Sequence, residues 1–302
     1  MAANQVIKQL TAPELESALR NSKVLIVGGT AGLGKALAVS LLSRGAQVTV
    51  VGRRSAGPEL AKAAYVQKDL SLLANASALA DELDVASFNS VVFTTGIFAA
   101  GQRQVNGEGI ELDMAVSFLN RLVFMRRVLA KGEFGKGGAA AGAAVKPRVF
   151  VMGFPGVQNT AKLGDFNAEK SYSAIPVHMT TVVGNEALVS YLNGEFKGAV
   201  NVYGLNPGII RTEIRDNYLG KGSWLSSIAE TIISWFTPSP EWYAENTLVH
   251  VVASKELEDK PGALIDQKRK ILAPNPFLTK DDNAEKVIAE SIALADRALS
   301  PK

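Results

Sequence analysis

No cysteine occurs among the 302 residues, which excludes disulfides, a thiolate nucleophile and cysteine-ligated metals. Histidine is nearly as scarce. His178 and His250 alone cannot build a histidine-rich metal site, so no metal is expected. Long apolar runs are missing too: no segment approaches the ~20 apolar residues of a membrane span. Residues 1–20, MAANQVIKQLTAPELESALR, lack the apolar core of a secretory signal, so the expectation is a cytoplasmic protein without membrane contact. Charge of one sign is also lacking. Lys and Arg number 32 against 29 Asp and Glu, with no dense basic run, and no nucleic-acid partner is expected. There is no internal repeat. What is present is 47% hydrophobic residues against 20% charged, ample for one large core over 1–302.

The most informative stretch is VLIVGGTAGLG, residues 24–34. Four consecutive apolar residues read as a strand buried on both faces. Gly28, Gly32 and Gly34 then break it before a helical pattern begins at Lys35. Residues without a Cβ let backbone N–H groups, here those around Thr30 and Leu33, approach phosphates, and a helix N-terminus adds partial positive charge. A dinucleotide pyrophosphate fits such a turn.

Strands then alternate with helices. A capping box at Thr11 and Glu14 announces a short leading helix. The second strand, 47–51, runs into Gly52, Arg53 and Arg54, where NAD-binding units place an acid for the ribose 2′-hydroxyl. Two guanidiniums there favour a 2′-phosphate instead, so NADP(H) is the expected cofactor. After a third strand at 64–67, Asp69 and Leu70 stand where an acid either accepts from the adenine amino group or caps the next helix. The fourth strand, 90–94, ends in Thr95 and Gly96. A long amphipathic helix is read over 109–131, then a Gly/Ala-rich loop at 135–144. Strand five, 148–152, enters Gly153-Phe154-Pro155-Gly156, and Pro176 is read as starting the next helix. Strand six, 199–205, leads to Asn206, Pro207, Gly208 and Thr212. Residues 223–236 carry Trp224, Leu225, Ile228, Ile232 and Phe236, an apolar segment ended by Pro238 and Pro240. The stretch 213–243 is read as covering the substrate. A short strand at 263–265 and a helix at 282–299 close the pattern. The fold expected is α/β, a Rossmann-type doubly wound, mostly parallel sheet of seven strands with helices on both faces.

In that order the motifs resemble those of the short-chain dehydrogenase/reductase superfamily, over nearly the full length. Residues 27–34 are similar to its TGxxxGxG, with Val27 in place of threonine. Thr94-Thr95-Gly96 is similar to its NAG element, and 207–212 to its PGxxxT loop, which the resemblance puts beside the nicotinamide. Asp266-Gln267 and residues 274–277 also resemble fungal members. The resemblance implies an oxidoreductase, and a homodimer through helices 109–131 and 174–193.

The family's proton-transfer set is an asparagine, a serine and YxxxK, whose lysine lowers the tyrosine pKa. Here Ser117 stands at the asparagine position, Gly153 near the serine position, and Tyr172 best matches the tyrosine. Four residues later comes Pro176, so the lysine is absent. A phenol of pKa ~10 needs a cation to act near neutrality. Lys170 and His178 are near in sequence, His178 roughly 240° round a helix from Tyr172. The candidate catalytic residues are therefore Tyr172, His178 and Ser117. Three functions follow: an NADPH-dependent reductase of an apolar carbonyl or enone, a non-redox isomerase or cyclase on the same fold, or a non-catalytic NADP(H)-binding protein.

Overall fold

A computed structural model of the chain describes residues 5–55, 57–136, 146–208 and 238–300. The elements are α1 (Ala12–Leu19), β1 (Lys23–Val27), α2 (Gly32–Leu42), β2 (Gln47–Gly52), β3 (Ala64–Gln67), α3 (Leu73–Glu82) and β4 (Ser90–Phe93). Next comes a continuous helix, α4, assembled from Leu112–Met114, a π segment Ala115–Leu119 and Asn120–Ala130. It is followed by β5 (Arg148–Met152), α5 (Ala174–Glu195) and β6 (Asn201–Leu205). A second helix with a π segment, α6, joins Pro240–Tyr243, Ala244–Leu248 and Val249–Ala253. β7 (Leu264–Ile265), β8 (Ile271–Leu272) and α7 (Asn283–Leu299) complete the described chain.

The strands form one sheet in the order β3-β2-β1-β4-β5-β6-β7-β8. All neighbours are parallel except the last pair, β7 and β8, which are antiparallel. The expected doubly wound sheet is present, but with eight strands rather than seven. β8 was missed because two residues are too few to show alternation; it is a hairpin return through the turn at Asp266, whose carboxylate accepts from the Lys268 and Lys270 amides. β1 lies centrally, with Val27 opposite Val51 on one side and Phe93 on the other.

Burial on both faces explains the continuous apolar strands. Leu25 and Val27 pack into one core with Leu73 and Leu79 of α3, Met114 and Phe118 of α4, and Val183 and Leu188 of α5. Val24 and Ile26 point the other way, joining Leu15 of α1, Leu37 and Leu41 of α2, and Leu248 and Val251 of α6. The period of two along β1 thus serves two layers, each about a sheet spacing thick.

Local chemistry sets the helix ends. Glu14 accepts from the Thr11 amide at 2.7 Å, the expected capping contact. Asp69 does not cap α3: its Oδ1 accepts from Ser71 N at 3.0 Å in an Asx turn. Glu108, far off in sequence, caps instead, taking the Leu73 and Ala74 amides at 2.7 and 2.8 Å. Pro176 lies inside the first turn of α5, where a missing N–H costs nothing. Pro240, expected to end a helix, starts one, with Ser239 accepting from Trp242 N. The Gly/Ala stretch 137–144, Thr212, the segment 213–237 and its helix at 223–236 lie outside the described residues. Among the described residues, no helix is long and apolar enough to cross a membrane, and no cluster of three or more His, Asp or Glu suits a metal.

Candidate functional site

The site is assembled at the C-terminal edge of the sheet, where β1 and β4 end side by side. Gly28 has φ of +98°, and a Cβ there would fall 2.7 Å from Thr95 N and 2.8 Å from Thr94 Oγ1. A Cβ on Gly34 would collide with the Gly28 carbonyl oxygen and with Thr94 Oγ1. Gly32, with φ of +52°, opens α2. The strand end, the helix start and the β4 loop therefore touch backbone to backbone, and only glycine permits that approach. Thr30 packs over Gly52 at the end of β2, and Arg53 and Arg54 follow it, both exposed. The sequence at that strand end, Gly52 to Ser55, contains no carboxylate. Thr95 Oγ1 is buried, with no hydrogen-bond partner among the described residues. The arrangement fits a dinucleotide: open backbone and a helix N-terminus for the pyrophosphate, two guanidiniums for a 2′-phosphate. On the far rim, Gly208 adopts φ of +66°, and its amide donates to Asn206 Oδ1 at 2.9 Å. Asn206 in turn donates to the Pro155 carbonyl at 2.8 Å, tying the loop after β5 to the end of β6, beside Pro207. Leu70 is buried in one core and Leu33 is half-buried against the other.

The loop 94–100 carries the chain from this cradle to all three expected catalytic candidates. Thr94 and Thr95 abut Gly28. Gly96 leads to Ile97, whose amide donates to Ser117 Oγ at 3.0 Å. The Phe98 ring lies 4.1 Å from the His178 ring, tilted by 30°. Ala100 O accepts from the Tyr172 hydroxyl at 2.5 Å.

Ser117 and His178 meet through a residue that sequence reasoning missed. Asp113, wholly buried, accepts from Ser117 Oγ at 2.5 Å through Oδ1 and faces His178 Nδ1 at 2.8 Å through Oδ2. Tyr172 stands apart from that trio. Burial first, then the charges of Glu111 and Asp113, push its phenol up to about 12. In its loop, Asp165 gathers the amides of Glu169, Lys170 and Ser171 and the Lys162 ammonium.

Beneath the site lies a buried cation, also missed. Arg121, 2% exposed, donates through Nη1 to the Met152 carbonyl and to Asn185 Oδ1 at 2.7 Å, and through Nη2 to the Thr95 carbonyl. Burial lowers its pKa to about 9, and the nearby Asp113 charge opposes that. Asn185 also donates to the Ser117 carbonyl at 2.8 Å. Ser117 lies in the π segment of α4, a wide turn of a kind frequent at functional sites. A signal for these residues was present in the sequence. Asp113, Ser117 and Arg121 recur at i, i+4 on one helix, and His178, Thr181 and Asn185 do so at i+3 and i+4 on the next.

Glu111 begins α4, accepting from Met114 N at 2.7 Å while 1% exposed. Burial and the Asp113 charge raise its pKa from 4.5 to about 7 against the pull of that amide. A raised folded pKa contributes stability that is complete below the unfolded value and lost as pH rises through the folded one. Between about pH 4 and about pH 8 this group alone removes roughly 3 kcal/mol. Glu111→Gln is expected to erase that share of the slope, read by denaturant unfolding at each pH; a slope equal to the wild type's would show that Glu111 ionises freely in the fold.

Searches against protein-family models find no match. The chain is 40% identical over 280 residues to an uncharacterized oxidoreductase of Saccharomyces cerevisiae, spanning 91% of this chain and 88% of that protein. It superposes on a short chain dehydrogenase from Salmonella enterica with a TM-score of 0.61 at 14% identity, over 86% of this chain and 99% of that one. A protein from Shigella flexneri described as a short chain dehydrogenase complexed with NADP gives 0.58 at 14% identity, covering 83% and 99%. These two structures share the fold.

Proposed function

Since this chain belongs to the short-chain dehydrogenase/reductase family and is an oxidoreductase of it, we propose that it uses NADP(H) to reduce the carbonyl or enone of an apolar small molecule. The observation that carries this reading is the loop 94–100, whose first residues close the glycine cradle and whose later ones touch Ser117, His178 and Tyr172. A nucleotide held in the cradle is thereby next to groups that exchange protons. The nicotinamide, when bound, supplies the hydride. The chain supplies the rest: Gly28, Gly32 and Gly34 admit the pyrophosphate, Thr95, Gly96, Pro207 and Gly208 border the nicotinamide end, and Tyr172, His178 or Ser117 moves the proton. Ile97 and Phe98 support an apolar substrate. The Shigella protein complexed with NADP supports the cofactor class, and Arg53 and Arg54 support its phosphorylated form.

Two measurements test this. Purified protein should consume NADPH, followed by absorbance, with members of a carbonyl and enone panel. No substrate-dependent loss across the panel would overturn the reading, and turnover without NADPH loss would return the isomerase or cyclase. Arg53→Ala and Arg54→Ala should each weaken NADPH binding about tenfold or more while leaving NADH binding near the wild-type value. Equal weakening of both would refute the 2′-phosphate assignment. A homodimer through α4 and α5, which the resemblance implies, would have to form beside α7. Val287, Ile288 and Leu294 of α7 share a core with Val183 and Leu188 of α5, and Asp296 meets Arg126 of α4 at 3.3 Å.

A further inference from the structure

We propose that Asp113 and His178 are the acid–base pair of this site: Asp113 fixes the imidazole with its proton on Nδ1, and Nε2 exchanges the proton of the substrate oxygen. The inference rests on the redox reading above and says which of its candidate groups moves the proton.

Three observations carry it. The first is geometry. Asp113 Oδ2 lies 2.8 Å from Nδ1, and a carboxylate there can only accept, so Nδ1 bears the hydrogen. The second is access. Asp113 is fully buried, whereas 19% of the His178 side chain is exposed, so the imidazole is the part of the pair that a substrate reaches. Phe98 covers one face of the ring and is three residues past Thr95 of the cradle. The third is the state of Tyr172. Its hydroxyl hydrogen is given to Ala100 O, and burial with the charges of Glu111 and Asp113 raises its pKa, away from the near-neutral value that suits a group exchanging protons at neutral pH.

The remaining contacts of Asp113 favour a fixed carboxylate. Ser117 Oγ–H satisfies Oδ1, and the Ile97 amide fixes that hydroxyl in turn. Arg121, on the same helix, is near enough for the Asp113 charge to act on it. Among the described residues, the charged and titratable groups around the pair are Glu111 and Arg121 on α4, Tyr172 before α5, and Arg103, which acts on both Glu111 and Tyr172. In reduction, hydride adds to the carbonyl carbon and its oxygen takes the proton from Nε2 of the imidazolium. The neutral Nδ1–H imidazole left behind is reprotonated by solvent. Oxidation runs the same steps backwards. Asp113 transfers no proton in these steps and is a positioning residue.

The scarcity of histidine makes the test direct. His250 is a natural reference of opposite tautomer, because its Nδ1 accepts from the Leu10 amide at 3.1 Å, which puts its hydrogen on Nε2. Nitrogen-15 NMR of the full chain should show one Nδ1–H and one Nε2–H imidazole, assigned with His250→Gln. Asp113→Asn should move His178 to the Nε2–H form. With NADPH and a panel substrate, His178→Gln and Asp113→Asn should each lower kcat on the order of 10²–10⁴-fold with KM little changed. Tyr172→Phe should lower kcat less than His178→Gln does. An Nε2–H tautomer on His178 in the wild type overturns the proposal, as does Tyr172→Phe abolishing turnover while His178→Gln leaves it intact. Should the wild type consume no NADPH with any substrate, the redox reading falls by itself, and the tautomer still decides the pair.

Discussion

Replacing Arg121 by methionine is expected to remove on the order of 3–5 kcal/mol of folding stability, seen as a fall in Tm on the order of 10 °C for a chain of this size. Methionine fills similar volume but donates no hydrogen bond. The Thr95 and Met152 carbonyls and Asn185 Oδ1 would each lose a charged donor in a place water does not reach. Asp113, fully buried, would lose the cation beside it. Arg121→Lys is expected to recover little. The fork sends Nη1 and Nη2 to the ends of two different strands, and an ammonium on a flexible stem cannot bridge both. Because Thr95 closes the cradle, nucleotide affinity should fall with stability in both variants. Thermal unfolding within about 1 kcal/mol of the wild type for Arg121→Met would mean that the clamp is dispensable.

Gly34→Ala is expected to abolish nucleotide binding and to lower stability by about 1–3 kcal/mol. Its Cβ meets the Gly28 carbonyl oxygen, which is backbone and cannot rotate away, together with Thr94 Oγ1. Relief requires α2 to move off the end of β1, which opens the turn that approaches the pyrophosphate. Gly101→Ala is the matched control, since nothing lies within 4 Å of a Cβ there. Titration of each variant with NADPH separates them: unchanged affinity in Gly34→Ala would show that the cradle is not the nucleotide site.

These two positions differ in how they are found. Gly34 is visible in the sequence, because a strand, a glycine turn and a helix start are contiguous and their meaning is local. The same locality made β1, β3 and β5 legible to within a residue, and placed the capping box of α1. The position of Arg53 and Arg54 was legible for the same reason: they follow directly on a strand end. Locality also set the limits. A two-residue return strand leaves no period to read, and a proline can end one helix or begin another. Glu108 caps α3 across 34 and 35 positions of chain, which no window could reveal.

At the proposed proton-transfer site the sequence named Ser117, His178 and Tyr172 but could not say which of them meet. Tyr172 fits the expected pattern best by spacing, yet in the fold its hydroxyl turns to a backbone carbonyl. His178 is on another face of the chain by helical count, yet it reaches Asp113, 65 positions earlier. The amino-acid sequence by itself determined the layered fold and the glycine cradle, because hydrophobic period and glycine placement act between near neighbours. Tertiary structure alone decided the Asp113–His178 contact and the Arg121 clamp. Those rest on two polar stripes facing one another across packed helices, and burial makes their hydrogen bonds obligatory only once the helices have docked.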